Sequence, residues 1–479
     1  MTRRILVRGG TVVTAADSAP ADVLVVGEQV SAIAAPGAHE WAVDADRVLD
    51  ATDRYVLPGG VDIHTHMELP VSGTVSSDDF ETGSRAALIG GTTTIVDYAG
   101  QERGGSLREG VRRWHKRAEG RTCTDYGFHI MVTDVHDGTL EEMAALVAEG
   151  ISSFKLFTAY PDTNYCDDAQ ILRAMQRAAA LDATIMMHAE NGIAIDVLRD
   201  QAIARGETEP IHHLTSRPPS LEAEAVHRVV ALAEVAGCSL VIVHISSADA
   251  AWAAAEGRVR GLPVFAETCP QYLVLGIEDV PDGFEAAKFV CSPPLRWRRD
   301  GHQEALWEGV ASGRVDVVAT DHCPFTWQQK EAGRGDFRRI PNGLGVIEHR
   351  LDLVHQGVVD GRFSASRWVE ACCTRPAKLA GLYPRKGSLA PGGDADIVIY
   401  DPGAQRRLSA ASHHMRVDYS VFEGLAVTGA VETVLLRGQV VVDNGEHVGS
   451  PGDGHYLPRG PNALVASGVA AKPALGPAT

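Results

Sequence analysis

The rhythm of hydrophobic and polar positions changes twice along the chain. Residues 4–55 alternate with a strand-like period of two in Ile5-Leu6-Val7, Thr11-Val12-Val13, Asp22–Val26 and Val30–Ile33, with Gly9-Gly10 and Gly27-Glu28 at the turns. The same rhythm returns late, in Asp394–Tyr400 and in a hairpin of Val431–Arg437 and Gln439–Val442 around Gly438. Such ends predict one discontinuous β-sandwich built from both termini, residues 1–55 plus 386–445.

Between them, residues 56–385 carry short apolar runs separated by helical patterns. Strands are predicted at 60–64, 92–98, 126–132, 152–157, 184–188, 240–244, 264–268 and 316–320. Helices are predicted at Leu140–Glu149, Asp168–Leu181, Leu221–Ala236 and His302–Ser312, among others. This alternation predicts an α/β chain with a (β/α)8 TIM barrel as its catalytic domain. A doubly wound open sheet is the fallback, but it would not gather strand ends from five places at one point. The stretch 446–479 is a C-terminal tail, rich in Pro, Gly and Ala from Pro451 onward. It is expected to be extended or partly disordered, and the two readings of it are docking on a neighbouring subunit and a disordered tail of no consequence.

Composition narrows the classes. The chain has 479 residues, 45% hydrophobic and 22% charged, enough for a large barrel and a smaller second domain. A formal charge of −18 repels a phosphate backbone, so no nucleic-acid partner is expected. No uninterrupted apolar stretch of about 18 residues is present, so no membrane span is expected. Arg8, Gly9 and Gly10 break the first apolar run, unlike a secretory signal. The eight cysteines are scattered without a C-x-x-C pair, as reduced thiols of a cytoplasmic protein would be.

The candidate chemistry stands at the predicted strand ends. His64-Thr65-His66, Lys155, His188, His244 and Asp321 each follow an apolar run, and a parallel barrel presents all its strand ends in one mouth. Two histidines two apart on a strand point the same way and can share a metal. A lone histidine ending a strand is ordinarily a hydrogen-bonded core residue; the joint placement changes that weighting. Other histidines, among them His115, His129, His136, His212, His213, His227, His302, His349, His355, His413 and His414, lack it and read as surface or structural. Lys155, between Phe154 and Leu156, is too apolar a setting for an unpaired ammonium. It is either paired to a carboxylate or carboxylated by carbon dioxide, giving an anion able to bridge two metals about 3.5–4 Å apart.

Longer motifs carry a resemblance: His188-Ala189-Glu190-Asn191-Gly192, Glu267-Thr268-Cys269-Pro270-Gln271-Tyr272, Ser292-Pro293-Pro294-Leu295-Arg296, Asp321-His322-Cys323-Pro324-Phe325 and Ile340-Pro341-Asn342-Gly343. From Leu57 to about Tyr456 the chain resembles the hydantoinase/dihydropyrimidinase family of the amidohydrolase superfamily. The resemblance implies two divalent metal ions per subunit, zinc in most relatives. His64, His66 and Asp321 would hold the first, His188 and His244 the second, and Lys155, as N6-carboxylysine, would bridge them. It implies that Tyr160 donates to the substrate carbonyl oxygen. Backbone groups of Ser292 and Asn342 would hold the ring amide and imide edges, and Asp321 would carry the proton to the leaving nitrogen. The substrate would be a small cyclic amide or imide, dihydrouracil or a 5-substituted hydantoin, opened to an N-carbamoyl amino acid. A homotetramer is also implied.

Rival readings differ in single features. Dihydroorotases carry an arginine just after H-x-H, where this chain has Met67-Glu68-Leu69-Pro70. An allantoinase-like cyclic ureide hydrolase shares the metal centre but not the Ser292–Arg296 and Asn342-Gly343 segments. Non-enzymatic dihydropyrimidinase-like scaffold proteins have lost metal ligands, and here all six positions are filled. The loop Pro161–Cys166 departs from relatives, which place bulky apolar residues near Thr163 and Asn164. This departure favours unsubstituted or small polar substrates.

Overall fold

The computed structural model describes residues 3–37 and 39–466. Both chain ends join in one nine-stranded mixed sheet, from Glu446–His447 at one edge to Gln29–Ala34 at the other. Its centre is Arg4–Val13, a single strand where two shorter ones were expected. A register shift between Val7 and Gly10 bends it, with Gly9 at φ +79°. Its first half therefore pairs in parallel with Arg47–Asp50 and its second half with Tyr55–Pro58. The sheet curls around a shared core that includes Val7, Val23, Val56, Ile397 and Leu435.

The late strand starts at Ile397 and runs to Arg407, three residues after the predicted start. Asp394 and Asp396 instead turn their carboxylates onto Lys386. Ala426–Leu436 and Gln439–Asp443 form the expected hairpin. Arg437 and Gly438, both at positive φ, make its turn, as the twist of a two-residue hairpin requires.

The eight predicted barrel strands form one parallel sheet: Gly60–Thr65, Thr92–Gly100, Asp125–Met131, Ser153–Phe157, Thr184–His188, Ser239–Ile242, Val264–Thr268 and Val317–Val318. All but the outer end of the second are buried along their whole length, because helices cover one face and the barrel core the other. The helices start and stop where the sequence signals them. Asp167 closes a capping box before Asp168–Ala179, and Gly237 in the left-handed conformation ends Pro219–Ala236. First and last strands meet through a bridge between Thr65 and His322. The buried Asp62 reinforces that seam by accepting from the backbone and hydroxyl of Thr320.

The C-terminal segment is not a free extension. His455 and Leu457 exchange backbone hydrogen bonds with Tyr126, and Arg459 N–H donates to Gly150 O. Leu457 joins the core beneath the strand ends, while the buried Arg459 guanidinium donates to Phe128 O, Ala380 O and Ser153 Oγ. Glu446–His447 of the predicted tail belongs to the end sheet, and from His455 onward the segment docks on its own barrel. Residues 467–479 of the predicted tail lie outside the described residues. All eight cysteines are unpaired and buried, and among the described residues no helix is long and apolar enough to cross a membrane.

Candidate metal centre

The strand ends converge as the pattern predicts. His64 is the penultimate residue of the first strand, Lys155 lies in the fourth, and His188 ends the fifth. His244 follows the sixth, and Asp321 follows the eighth. His64 Nε2 is 2.8 Å from Lys155 Nζ and 3.1 Å from Asp321 Oδ1, and His66 Nε2 is 3.1 Å from the same oxygen. The His64 and His244 rings are 5.3 Å apart, and those of His188 and His244 4.6 Å. His64, His244 and Asp321 each offer a ligand atom within 4.8 Å of the others'. Buried ring nitrogens of His66 and His244 (Nδ1 in each) have no hydrogen-bond partner. A buried set of nitrogen and oxygen donors that includes unpartnered ring nitrogens fits a divalent cation.

Side chains behind the donors orient them. Glu267, at the end of the seventh strand, lies 2.5 Å from His64 Nδ1 and also accepts from the His244 backbone N–H. Glu190 lies 2.8 Å from His188 Nε2 and is itself held by Arg217 at 2.9 Å. Carboxylates in this position fix the imidazole that presents its other nitrogen to a metal. Neither role was assigned from the sequence, although Glu267 at a strand end is the same signal that singled out His188.

Burial shapes the charges. It pulls the Lys155 ammonium down to about 8, against the opposing pull of Asp321 and Glu267, and it pulls His66 down to about 3. Burial would raise the Asp321 carboxyl, but the His64 and His66 rings beside it hold it well below the usual carboxylate range. Tyr160 is pushed up to about 12 by burial, so its hydroxyl stays a donor at neutral pH.

His66, Lys155, His188, His244 and Asp321 line a cavity of about 360 Å3, with His64 fully buried behind them. Tyr160, Ser292 and Asn342 stand on its wall with Leu69, Val71 and Phe157, and the polar Asp162, Thr163 and Asn164 face it from the loop after Tyr160. Asn342 Nδ2 donates to Ser292 Oγ at 3.1 Å. His213, read from sequence as surface or structural, is buried and lines the same cavity, with Nε2 3.0 Å from Cys291 O and 3.2 Å from Ser292 Oγ. Its placement on a short helix away from any strand end hid it. Tyr160, His244 and Asp321 all adopt positive φ, at +61°, +42° and +53°. Non-glycine residues hold that conformation only where the surroundings over-determine it, which happens most often at functional sites.

The sequence relations agree with this geometry. The amidohydrolase family model matches residues 55–441. The D-hydantoinase of Streptomyces coelicolor is 56% identical, the alignment covering 96% of this chain and 98% of that protein. The D-hydantoinase of Geobacillus stearothermophilus is 46% identical over 95% and 96% of the two chains. The crystal structure of dihydropyrimidinase from Brevibacillus agri superposes with a TM-score of 0.93 at 47% identity, covering 96% of this chain and 99% of that one. From strand-end candidate ligands, cavity and near full-length similarity together, this chain belongs to the hydantoinase/dihydropyrimidinase family of the amidohydrolase superfamily.

Proposed function

We propose that this cyclic amide hydrolase opens the ring of dihydropyrimidines such as dihydrouracil, and of hydantoins with small 5-substituents, to N-carbamoyl amino acids. The observation that carries the reading is the cluster of six potential ligands, five of which line a cavity sized for one small ring while His64 sits buried beside Lys155 and Asp321. His64, His66 and Asp321 would hold one divalent cation and His188 and His244 a second, both zinc. Lys155 would join them as its carbamate, formed when the neutral amine adds to carbon dioxide and loses a proton. When bound, such a pair supplies Lewis acidity toward the ring carbonyl and acidifies water at neutral pH.

The chain's own groups would do the rest. Tyr160, protonated at neutral pH, donates to the carbonyl oxygen as negative charge develops there. Asp321 stays ionised, accepts the proton of the attacking water and returns it to the departing ring nitrogen. Backbone groups of Ser292 and Asn342 hold the amide and imide edges and so fix which carbonyl is presented. With every ligand position filled, the non-enzymatic scaffold reading is not favoured; the allantoinase-like one, which shares the metal centre, is not favoured because the similar proteins are D-hydantoinases and a dihydropyrimidinase.

A homotetramer belongs to this proposal. Val235, Trp252 and Val259, exposed on two neighbouring helices, supply apolar surface for such contacts. The test is kcat/KM for dihydrouracil, hydantoin and 5-phenylhydantoin, with metal content and solution mass measured on the same preparation. About two metals per chain and ring opening of the first two substrates are expected. A metal-loaded protein that opens none of the three would overturn the reading.

A further inference from the structure

Lys330 is an ionisable side chain for which the mechanism above has no use, and it is fully buried. Its Nζ donates to three backbone carbonyls: Pro341 O at 2.8 Å, Val290 O at 3.0 Å and Gly343 O at 3.0 Å. Among the described residues no carboxylate forms an ion pair with it, and burial pulls the ammonium down to about 7. A buried cation without a countercharge is costly, and an apolar side chain of similar volume usually serves stability as well or better. The carbonyls it holds are not scattered. Val290 is two residues before Ser292, and Pro341 and Gly343 flank Asn342.

We propose that Lys330 is a positioning residue that clamps the Ser292 and Asn342 loops and strengthens their grip on the substrate's ring amide. The inference rests on the assignment of these two backbones to substrate binding. Two physical effects follow from the contacts. First, one ammonium fixes the spacing of two loops that the chain brings together from about fifty residues apart; Gly343 N–H on Val290 O at 3.0 Å and Asn342 Nδ2 on Ser292 Oγ add only weaker, neutral ties. Second, the Pro341 carbonyl belongs to the same peptide unit as the Asn342 N–H. An ammonium on that carbonyl polarises the amide and makes its N–H a stronger donor, as linked hydrogen bonds do at low dielectric. Lys330 touches neither substrate nor metal ligands, so it acts on ground state and transition state alike. Its loss should therefore appear in KM rather than kcat.

The test compares Lys330→Met and Lys330→Gln with the parent, all metal-loaded, on dihydrouracil and hydantoin. Lys330→Gln keeps two N–H donors without the charge and serves where the methionine variant does not fold. KM is expected to rise at least tenfold in Lys330→Met and less in Lys330→Gln, with kcat within threefold and metal content unchanged. KM within twofold of the parent in a folded variant, or a fall in kcat alone, overturns the proposal. Gly343→Ala separates this from failure of the underlying assignment, since a Cβ there would overlap the Cys323 carbonyl and shift the Asn342 loop. If Gly343→Ala raises KM and Lys330→Met does not, the loops bind substrate and the clamp is wrong. If neither moves KM, the assignment of the loops is wrong as well.

Discussion

Replacing Lys386 with methionine should destabilise the whole molecule although the residue is far from the cavity in chain and function. Its buried ammonium meets three carboxylates: Asp125 at 2.5 Å, Asp396 at 2.8 Å and Asp394 at 2.9 Å. Asp125 belongs to the third barrel strand and Asp394 and Asp396 precede the late strand of the end sheet. The His455 N–H from the C-terminal segment donates to Asp125. One cation thus ties three parts of the fold. In the variant Asp125 keeps Arg437 and Asp394 keeps Arg385, but Asp396 keeps only the Arg437 backbone N–H. Removing one partner of a buried ion pair costs about 3–5 kcal/mol, and that loss is expected here at pH 8.

The pH dependence follows from the shifts. Burial would raise Asp125, but Lys386 and Arg437 outweigh it and hold the carboxyl below its ordinary value. Its contribution is therefore present above the unfolded value of about 4 and lost as pH falls through the folded one. Asp396 is raised, because burial outweighs Lys386; without Lys386 it rises further, so acid relieves the variant. The deficit should accordingly shrink between pH 8 and pH 5. Urea unfolding followed by tryptophan fluorescence, with saturating metal, measures it; if refolding fails, unfolding rates replace equilibrium values. A Lys386→Met/Asp396→Asn double variant should regain about half of the loss. A deficit under about 1 kcal/mol at pH 8, or one that widens at pH 5, would refute the reasoning.

Three further outcomes are expected. Lys155→Ala should lose most activity and bound metal, with partial rescue by short carboxylic acids and none by a Lys155→Arg exchange; retention of both metals with near-normal turnover would sink the bridging role. Asn164→Phe should shift the kcat/KM ratio of 5-phenylhydantoin to hydantoin upward about tenfold, since one added apolar contact is worth on the order of 1–2 kcal/mol. Tyr165, in the same loop, does not line the cavity, so it does not already supply that contact; a parent that already prefers the phenyl compound tenfold would contradict this. Deleting residues 451–479 should lower the thermal midpoint or abolish folding, because Leu457 and Arg459 leave the barrel's underside; an unchanged midpoint would show the docking to be dispensable.

Much of the fold and of the candidate site is legible in the chain because both rest on local periodicity. Alternation marks the end-sheet strands, and apolar runs followed by helical patterns mark the barrel. Once a parallel barrel is inferred, His64, His66, Lys155, His188, His244 and Asp321 must share one mouth, since strand direction alone puts them there. What the tertiary structure decided are contacts between residues with no common period. Glu267 reaches His64 across 203 positions, and Asp62 closes the barrel against Thr320 across 258. Arg217 steadies Glu190, His213 backs Ser292, and Lys330 gathers three carbonyls from two loops. Arg459 turns an apparent loose tail into a plug for its own barrel. Each of these side chains satisfies a buried polar group, and a polar group is buried only after the distant elements have packed. Periodicity reports which face of an element is apolar; it carries no record of which buried charge will need which partner.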